Sequence, residues 1–226
     1  DRTPAAAAVV RQADREPAST EPGSVPAGPL AIPARGALAL LVLANLALQA
    51  AFGAFITTYS PYATGRLGWS TTDVGILFSL FGLGNILVGP WLARRGDERG
   101  RATWAVLSCL PIAVYSVVFV SDLPQLVIYA AGVIAGGGVA GFAANWYAML
   151  ATVAGTERRG RMIGSVMAVS NLGIVAGAMG ASAVWDAVDL RVAAVSPLVS
   201  LLVAAGVLLL LPRSTGMPRR GAAWSV

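Results

Sequence analysis

The sequence predicts an all-α membrane protein crossing the bilayer as six transmembrane helices, and three observations carry that expectation. Hydrophobic residues make up 56% of the 226-residue chain against 12% charged, with a mean hydropathy of +0.70. That leaves too few charges to solvate a water-soluble core. Six apolar stretches reach the roughly 20 residues a helix needs to cross about 30 Å of hydrocarbon, and no barrel-type alternation is present. Fourteen of the sixteen basic residues, all arginines, fall in four segments that share one side if the chain crosses six times. Positive residues in short loops stay cytoplasmic, so both ends of the chain are expected in the cytoplasm and the protein in the inner (plasma) membrane.

Residues 1–36 are rich in Ala and Pro, balance Arg2, Arg11, Arg15 and Arg35 against four acids, and show no sustained apolar face. They read as a disordered cytoplasmic tail. The six spans are expected at 37–59, 74–93, 102–120, 126–152, 162–185 and 192–211, within a bundle over 37–212, followed by a basic cytoplasmic linker or tail at 213–226. Asp73 opens the second span, where a carboxylate suits a helix N-terminus. Pro111 and Pro197 fall inside the third and sixth spans and are expected to kink them. The fourth carries Gly132, Gly136, Gly137, Gly138 and Gly141, which provide either close packing or a roomy cavity wall. Trp69, Trp91, Trp104 and Trp185 land at span ends, where an amphipathic indole is best solvated.

Several function classes are excluded by composition. A pI near 10.1 suggests nucleic acid in a soluble protein. Here the arginines form no continuous stripe and have no interleaved aromatics, so no nucleic-acid partner is expected. The chain has no histidine and one cysteine, Cys109, in an apolar stretch, so neither a metal centre nor a cofactor is expected. Intramembrane catalysis needs a nucleophile with a base, or metal ligands, at the midplane, and none is evident; the chain does not read as an enzyme.

The polar side chains nearest the midplane are Asn45 and Gln49 in the first span, Asn85 in the second, and Ser170 with Asn171 in the fifth; Asn145 lies in the fourth, nearer the cytoplasm. Asn45 and Gln49 are four apart and share a helical face. An amide in hydrocarbon is costly unless paired, so these candidates meet either another helix or a watery substrate cavity.

Between the second and third spans the chain reads Gly89, Pro90, Trp91, Leu92, Ala93, Arg94, Arg95, Gly96, Asp97, Glu98, Arg99, Gly100, Arg101. Gly96 and Gly100 permit backbone angles closed to other residues, and Asp97 can pair with arginine. The Asp97-x-x-Gly100-Arg101 core, in the second cytoplasmic turn of a six-span block, closely resembles the loop signature of the major facilitator superfamily. Ala93 stands where the family usually has glycine. Glu157, Arg158, Arg159, Gly160 and Arg161 resemble the acidic and basic turn these transporters carry before the fifth span. Gly164, Gly173 and Gly177 reproduce a glycine spacing of the exporter branches, with Ala178, Ala181 and Ser182 replacing its proline and glycine pair.

The resemblance covers about residues 37–212 and implies one half of a transporter, an N-terminal six-helix bundle of two three-helix repeats. It implies a small-molecule solute moved by alternating access, with efflux favoured by the glycine spacing. Partners would be membrane lipid and a second six-helix half, either a missing C-terminal half or a second copy in a homodimer. By the same resemblance Asp97, Gly100, Arg101, Glu157 and Arg161 become cytoplasmic gate candidates; the alternative is that the arginines only orient the chain and touch lipid phosphate. Gly164, Gly173 and Gly177 become helix-packing positions. No Asp, Glu or Arg lies deep in any span, so ion coupling would reside in the other half or be absent. A rival function is a non-transporting membrane module that docks on a partner.

Overall fold

The computed structural model describes residues 34–154 and 159–211, and among them every regular element is an α-helix. Six helical spans are long and apolar enough to cross a membrane. The first is α1 (Ala34–Gly65), and the second is α2 (Thr71–Leu87) continued by α3 (Gly89–Arg99). The third is α4 (Arg101–Phe119), the fourth α5 (Gln125–Ala154), and the fifth α6 (Arg159–Ala187). The sixth is α7 (Leu190–Val195) followed by α8 (Pro197–Leu209).

The first helix begins at Ala34 and runs past Tyr59 to Gly65, so the expected tail ends earlier and the first span later than hydropathy suggests. Its extra turns are held by burial: Tyr62 and Ala63 are fully buried, and the Tyr62 ring lies 5.3 Å from that of Phe119. Gly68, at φ +69°, then turns the chain toward the second span, with Trp69 N–H donating to the Ala63 carbonyl (3.0 Å). Ser70 caps α2. Its hydroxyl accepts from Asp73 N–H (3.1 Å), while Ser70 N–H donates to the Asp73 carboxylate (2.9 Å). This closes a reciprocal capping box and accounts for Asp73 at that position.

The second span is broken at Val88, where Gly89 and Pro90 restart the helix as α3. Proline is tolerated in a first turn because its missing N–H would be unpaired there anyway. The same logic divides the sixth span at Ser196, ahead of Pro197, whereas α4 passes through Pro111 as one helix. Gly100, at φ +109°, makes the tight link from α3 to α4. That angle requires glycine. Gly96, by contrast, is helical and is needed for room, since a Cβ there would strike the Asn145 side chain.

Packing follows a pattern that survives exchange of the two three-helix repeats. The first span packs on the fifth and sixth; the fourth packs on the second and third; the third touches the sixth. Swapping spans one, two and three for four, five and six maps each pairing onto another of the same set, as internally repeated transporter folds do. The closest approaches are made by glycine. A Cβ at Gly173 would meet the Leu46 carbonyl, and one at Gly177 the Ala50 carbonyl, joining the fifth span to the first. Likewise a Cβ at Gly136 would meet the Phe81 carbonyl and one at Gly84 the Val133 carbonyl, joining the fourth to the second. The fourth-span glycines therefore serve close packing. Gly164 does not, because nothing lies within 4 Å of a Cβ placed there. It stands nine residues from Gly173, about half a turn away at 100° per residue, and so points off the shared face.

Two cores result. One, around Leu41, Phe142, Trp146 and Leu208, fills the arginine-bearing end; the other, around Tyr62, Phe119 and Ile128, fills the opposite end. Large apolar residues such as Leu126 (78% exposed) and Ile86 (72%) cover the outside. This arrangement suits lipid as the surrounding solvent.

Candidate functional site

At mid-span a partly open cavity of about 190 Å³ is lined by the first, second, third, fourth and sixth spans. Leu48, Ala51, Phe52 and Phe55 come from the first span, Phe81 from the second, Ile112, Tyr115 and Ser116 from the third, Val139 from the fourth, and Pro197 and Leu201 from the sixth. No charged side chain lines it. Phe55, Phe81 and Tyr115 form an aromatic wall, Phe55 meeting Tyr115 edge-on at 6.0 Å and Phe81 meeting it likewise at 6.3 Å. Ser116 Oγ donates back to the Ile112 carbonyl (3.0 Å). The Tyr115 residue is only 3% exposed, yet its hydroxyl has no hydrogen-bond partner among the described residues.

Of the amides singled out in the sequence, Gln49 lines this cavity, and its Nε2 donates to Asn171 Oδ1 (3.1 Å) across the first and fifth spans. The pair is exposed on the flank of the bundle. One turn away Asn45 is buried, with Nδ2 directed at the Met167 sulfur (4.0 Å), which also accepts from the Tyr147 hydroxyl (3.3 Å). Both contacts join residues 122 apart, as two helices running in the same direction require. The other two amides do not line this cavity. Asn85 Nδ2 donates to the Phe81 carbonyl of its own helix (3.1 Å). Asn145, 1% exposed, donates to the Gly141 carbonyl (2.8 Å) and reaches that of Leu92 (3.4 Å), clamping the fourth span to α3. Both spend their donors on backbone, the commoner fate of amides in a helical bundle.

At the arginine-bearing end, two ion pairs join residues four apart, one within α3 and one across its link to α4. Asp97 accepts from Arg101 Nε (2.9 Å), and Glu98 from Arg94 Nε (3.0 Å). Arg95 lies 4.9 Å above the Trp91 ring, which meets Trp104 edge-on at 5.9 Å. The Asp97 side chain remains 61% exposed and that of Arg101 27%. Exposed pairs of this spacing within a helix, such as Arg94–Glu98, contribute only about 0.3–0.5 kcal/mol to stability. Gly100 sets the bend that brings Arg101 back onto Asp97. Arg161 is exposed in the first turn of α6; Glu157 lies outside the described residues.

The cavity residues Phe52, Phe55, Phe81 and Tyr115 were not singled out from the sequence. Their signal was there: Phe52, Phe55, Tyr59 and Tyr62 recur at spacings of three and four along one face of the first span.

Comparison with known proteins bears on the whole bundle. Residues 41–225 match the family model described as Major Facilitator Superfamily. Over 106 residues the chain is 34% identical to Solute carrier family 22 member 18 of Rattus norvegicus, a match covering 46% of this chain and 25% of that protein. The matched stretch thus spans a quarter of the length of this curated relative. With six apolar helical spans, repeat-exchangeable packing, the Asp97-x-x-Gly100-Arg101 turn and a family match across nearly all the described bundle, the chain belongs to the Major Facilitator Superfamily.

Proposed function

We propose that the chain is one six-helix half of a transporter that moves a small solute outward by alternating access, with both termini in the cytoplasm of a cell whose inner (plasma) membrane it spans. In this reading residues 1–33 and 213–226, which lie outside the described residues, are on the cytoplasmic side, and the face carrying Gln49 and Asn171 turns toward a second six-helix half or a second copy. The observation that carries the reading is the Gln49–Asn171 pair itself, exposed at mid-span. Polar amides at that depth need cover from water or another protein surface, and a cavity between two halves provides both. The turn bearing Asp97, Gly100 and Arg101, together with Glu157 and Arg161, would close the cytoplasmic side of that cavity. The exporter-like spacing of Gly164, Gly173 and Gly177 supports outward movement.

Labelling tests this without knowledge of the solute. In membrane vesicles, Asn171→Cys should react with a membrane-impermeant maleimide, while Leu202→Cys, 62% exposed on the sixth span, should not react because lipid covers it. If both are inert, the amide face is sealed and the docking-module reading replaces transport.

A further inference from the structure

We propose that the flank of the arginine-bearing end, where Trp91 and Arg95 of α3 meet Trp104 of α4, is a binding site for the headgroup of one anionic phospholipid. The order of side chains along the membrane normal carries this. The Arg95 guanidinium lies 4.9 Å from the centre of the Trp91 ring, and the Trp91 and Trp104 rings meet edge-on at 5.9 Å. Leu87, Trp91 and Arg95 follow at four-residue spacing along the second span, and Trp104, Leu107 and Leu110 at three-residue spacing along the third. Each set keeps to one side of its helix. The second span runs toward the arginine-bearing end and the third away from it, and four residues of helix rise about 6 Å. Arg95 therefore stands outermost, the two indoles next, and the exposed Leu87, Leu107 and Leu110 deepest. A phospholipid presents its phosphate, glycerol esters and acyl chains in the same order, with indoles favoured at the level of the headgroup.

Charge selects the headgroup. Arg94 and Arg101 are already held by Glu98 and Asp97, whereas neither Arg95 nor Arg99 has an ion-pair partner among the described residues. Arg95 is half-buried against the indole, so its charge is pinned in place, and a planar guanidinium can give a phosphate two parallel N–H bonds. The indole N–H groups of Trp91 and Trp104 likewise have no acceptor among the described residues, and a lipid phosphate or ester oxygen supplies one. A zwitterionic headgroup carries its own cation beside the phosphate, so it gains less from two unpaired arginines than an anionic one does. Arg101 of the proposed gate takes no part in the site. The site also needs neither a second half nor the transport reading, and it stands or falls separately from both.

Native mass spectrometry of the detergent-solubilised full chain, titrated with phosphatidylglycerol and phosphatidylcholine of matched acyl chains, reads the site. Wild-type protein should hold one phosphatidylglycerol about fivefold more tightly than phosphatidylcholine. Arg95→Gln should erase that preference. Trp91→Leu, which keeps an apolar side chain but removes the ring beneath the guanidinium, should at least halve it. Arg66→Gln removes the same charge at the opposite end of the bundle and should leave the preference intact. Inorganic phosphate should not displace the lipid, because it lacks the acyl chains that cover Leu87 and Leu107; displacement means a bare anion site and overturns the proposal. Equal binding of the two lipids by wild type overturns it as well, as does a preference that survives Arg95→Gln. An equal fall in Arg66→Gln does the same, since the attraction is then one of net charge and not of this cradle.

Discussion

Gly177→Leu is expected to separate the first and fifth spans and to leave a protein that inserts but does not hold its packed form. A Cβ alone at this position meets the Ala50 carbonyl, and the obstacle is backbone, which cannot rotate aside. Adding carbon to a well-packed interior costs about 1–3 kcal/mol when side chains can adjust, and the rigid neighbour here puts the cost at about 3 kcal/mol or more. For a chain of this size that corresponds to a fall of about 10 °C in Tm. The Gln49–Asn171 and Asn45–Met167 contacts span the same two helices and should be lost together. Gly164→Leu is the internal control. It lies on the same helix, with nothing within 4 Å of a Cβ, and should melt within a degree or two of wild type. Equal melting of the two variants would mean that the first and fifth spans are not in the close contact described.

Asp97→Asn should leave Tm and membrane insertion close to wild type while changing which side of the membrane reaches the central face. The amide keeps the size of the carboxylate but loses its charge, so the Arg101 guanidinium loses its ion-pair partner. That local loss is worth only about 0.3–0.5 kcal/mol, too little to unfold anything. In the transport reading proposed above, the large effect is expected because Asp97, 61% exposed, is free to engage a second bundle when the cytoplasmic side closes. Weakening closure by about 1.4 kcal/mol shifts the two-state population about tenfold. Placed on an Asn171→Cys background, the substitution should therefore raise labelling from the cytoplasmic face and lower it from the outer face by up to that factor, and slow transport accordingly. Unchanged labelling from both faces would reduce the turn to an orientation signal.

Span number and helical class were legible because both depend on composition over windows of about 20 residues, where lipid imposes one solution on the backbone. Span ends were less legible. Hydropathy places the end of the first span at Tyr59, but Tyr62 and Ala63 continue the helix because Phe119 covers them, a tertiary fact outside any window. The break at Val88 was not read: the span expected over 74–93 runs through Gly89-Pro90, and the helix restarts there and continues to Arg99 because proline is tolerated in a first turn. The amides divide along the same line. Periodicity put Asn45 and Gln49 on one face correctly, since both meet the fifth span. It could not tell that Asn145 faces α3 or that Asn85 bonds its own helix, because a period names a face and not the neighbour behind it. Gly164 was grouped with Gly173 and Gly177 by resemblance, although nine residues of helix set it half a turn away. The cavity was missed for the converse reason: five spans contribute to its wall, and Tyr115 has meaning only beside Phe55 and Phe81.

The proposed orientation, gate and direction of transport all follow from placing the arginine-rich turn at the inner surface. Cys109 is the sole cysteine of the chain and is buried in the third span, so Arg99→Cys gives a single accessible thiol. In intact cells a membrane-impermeant maleimide should leave the Arg99→Cys protein unlabelled, and in inside-out vesicles it should label it to completion. Labelling of intact cells with inert inside-out vesicles would invert the bundle and contradict the gate and the transport direction together.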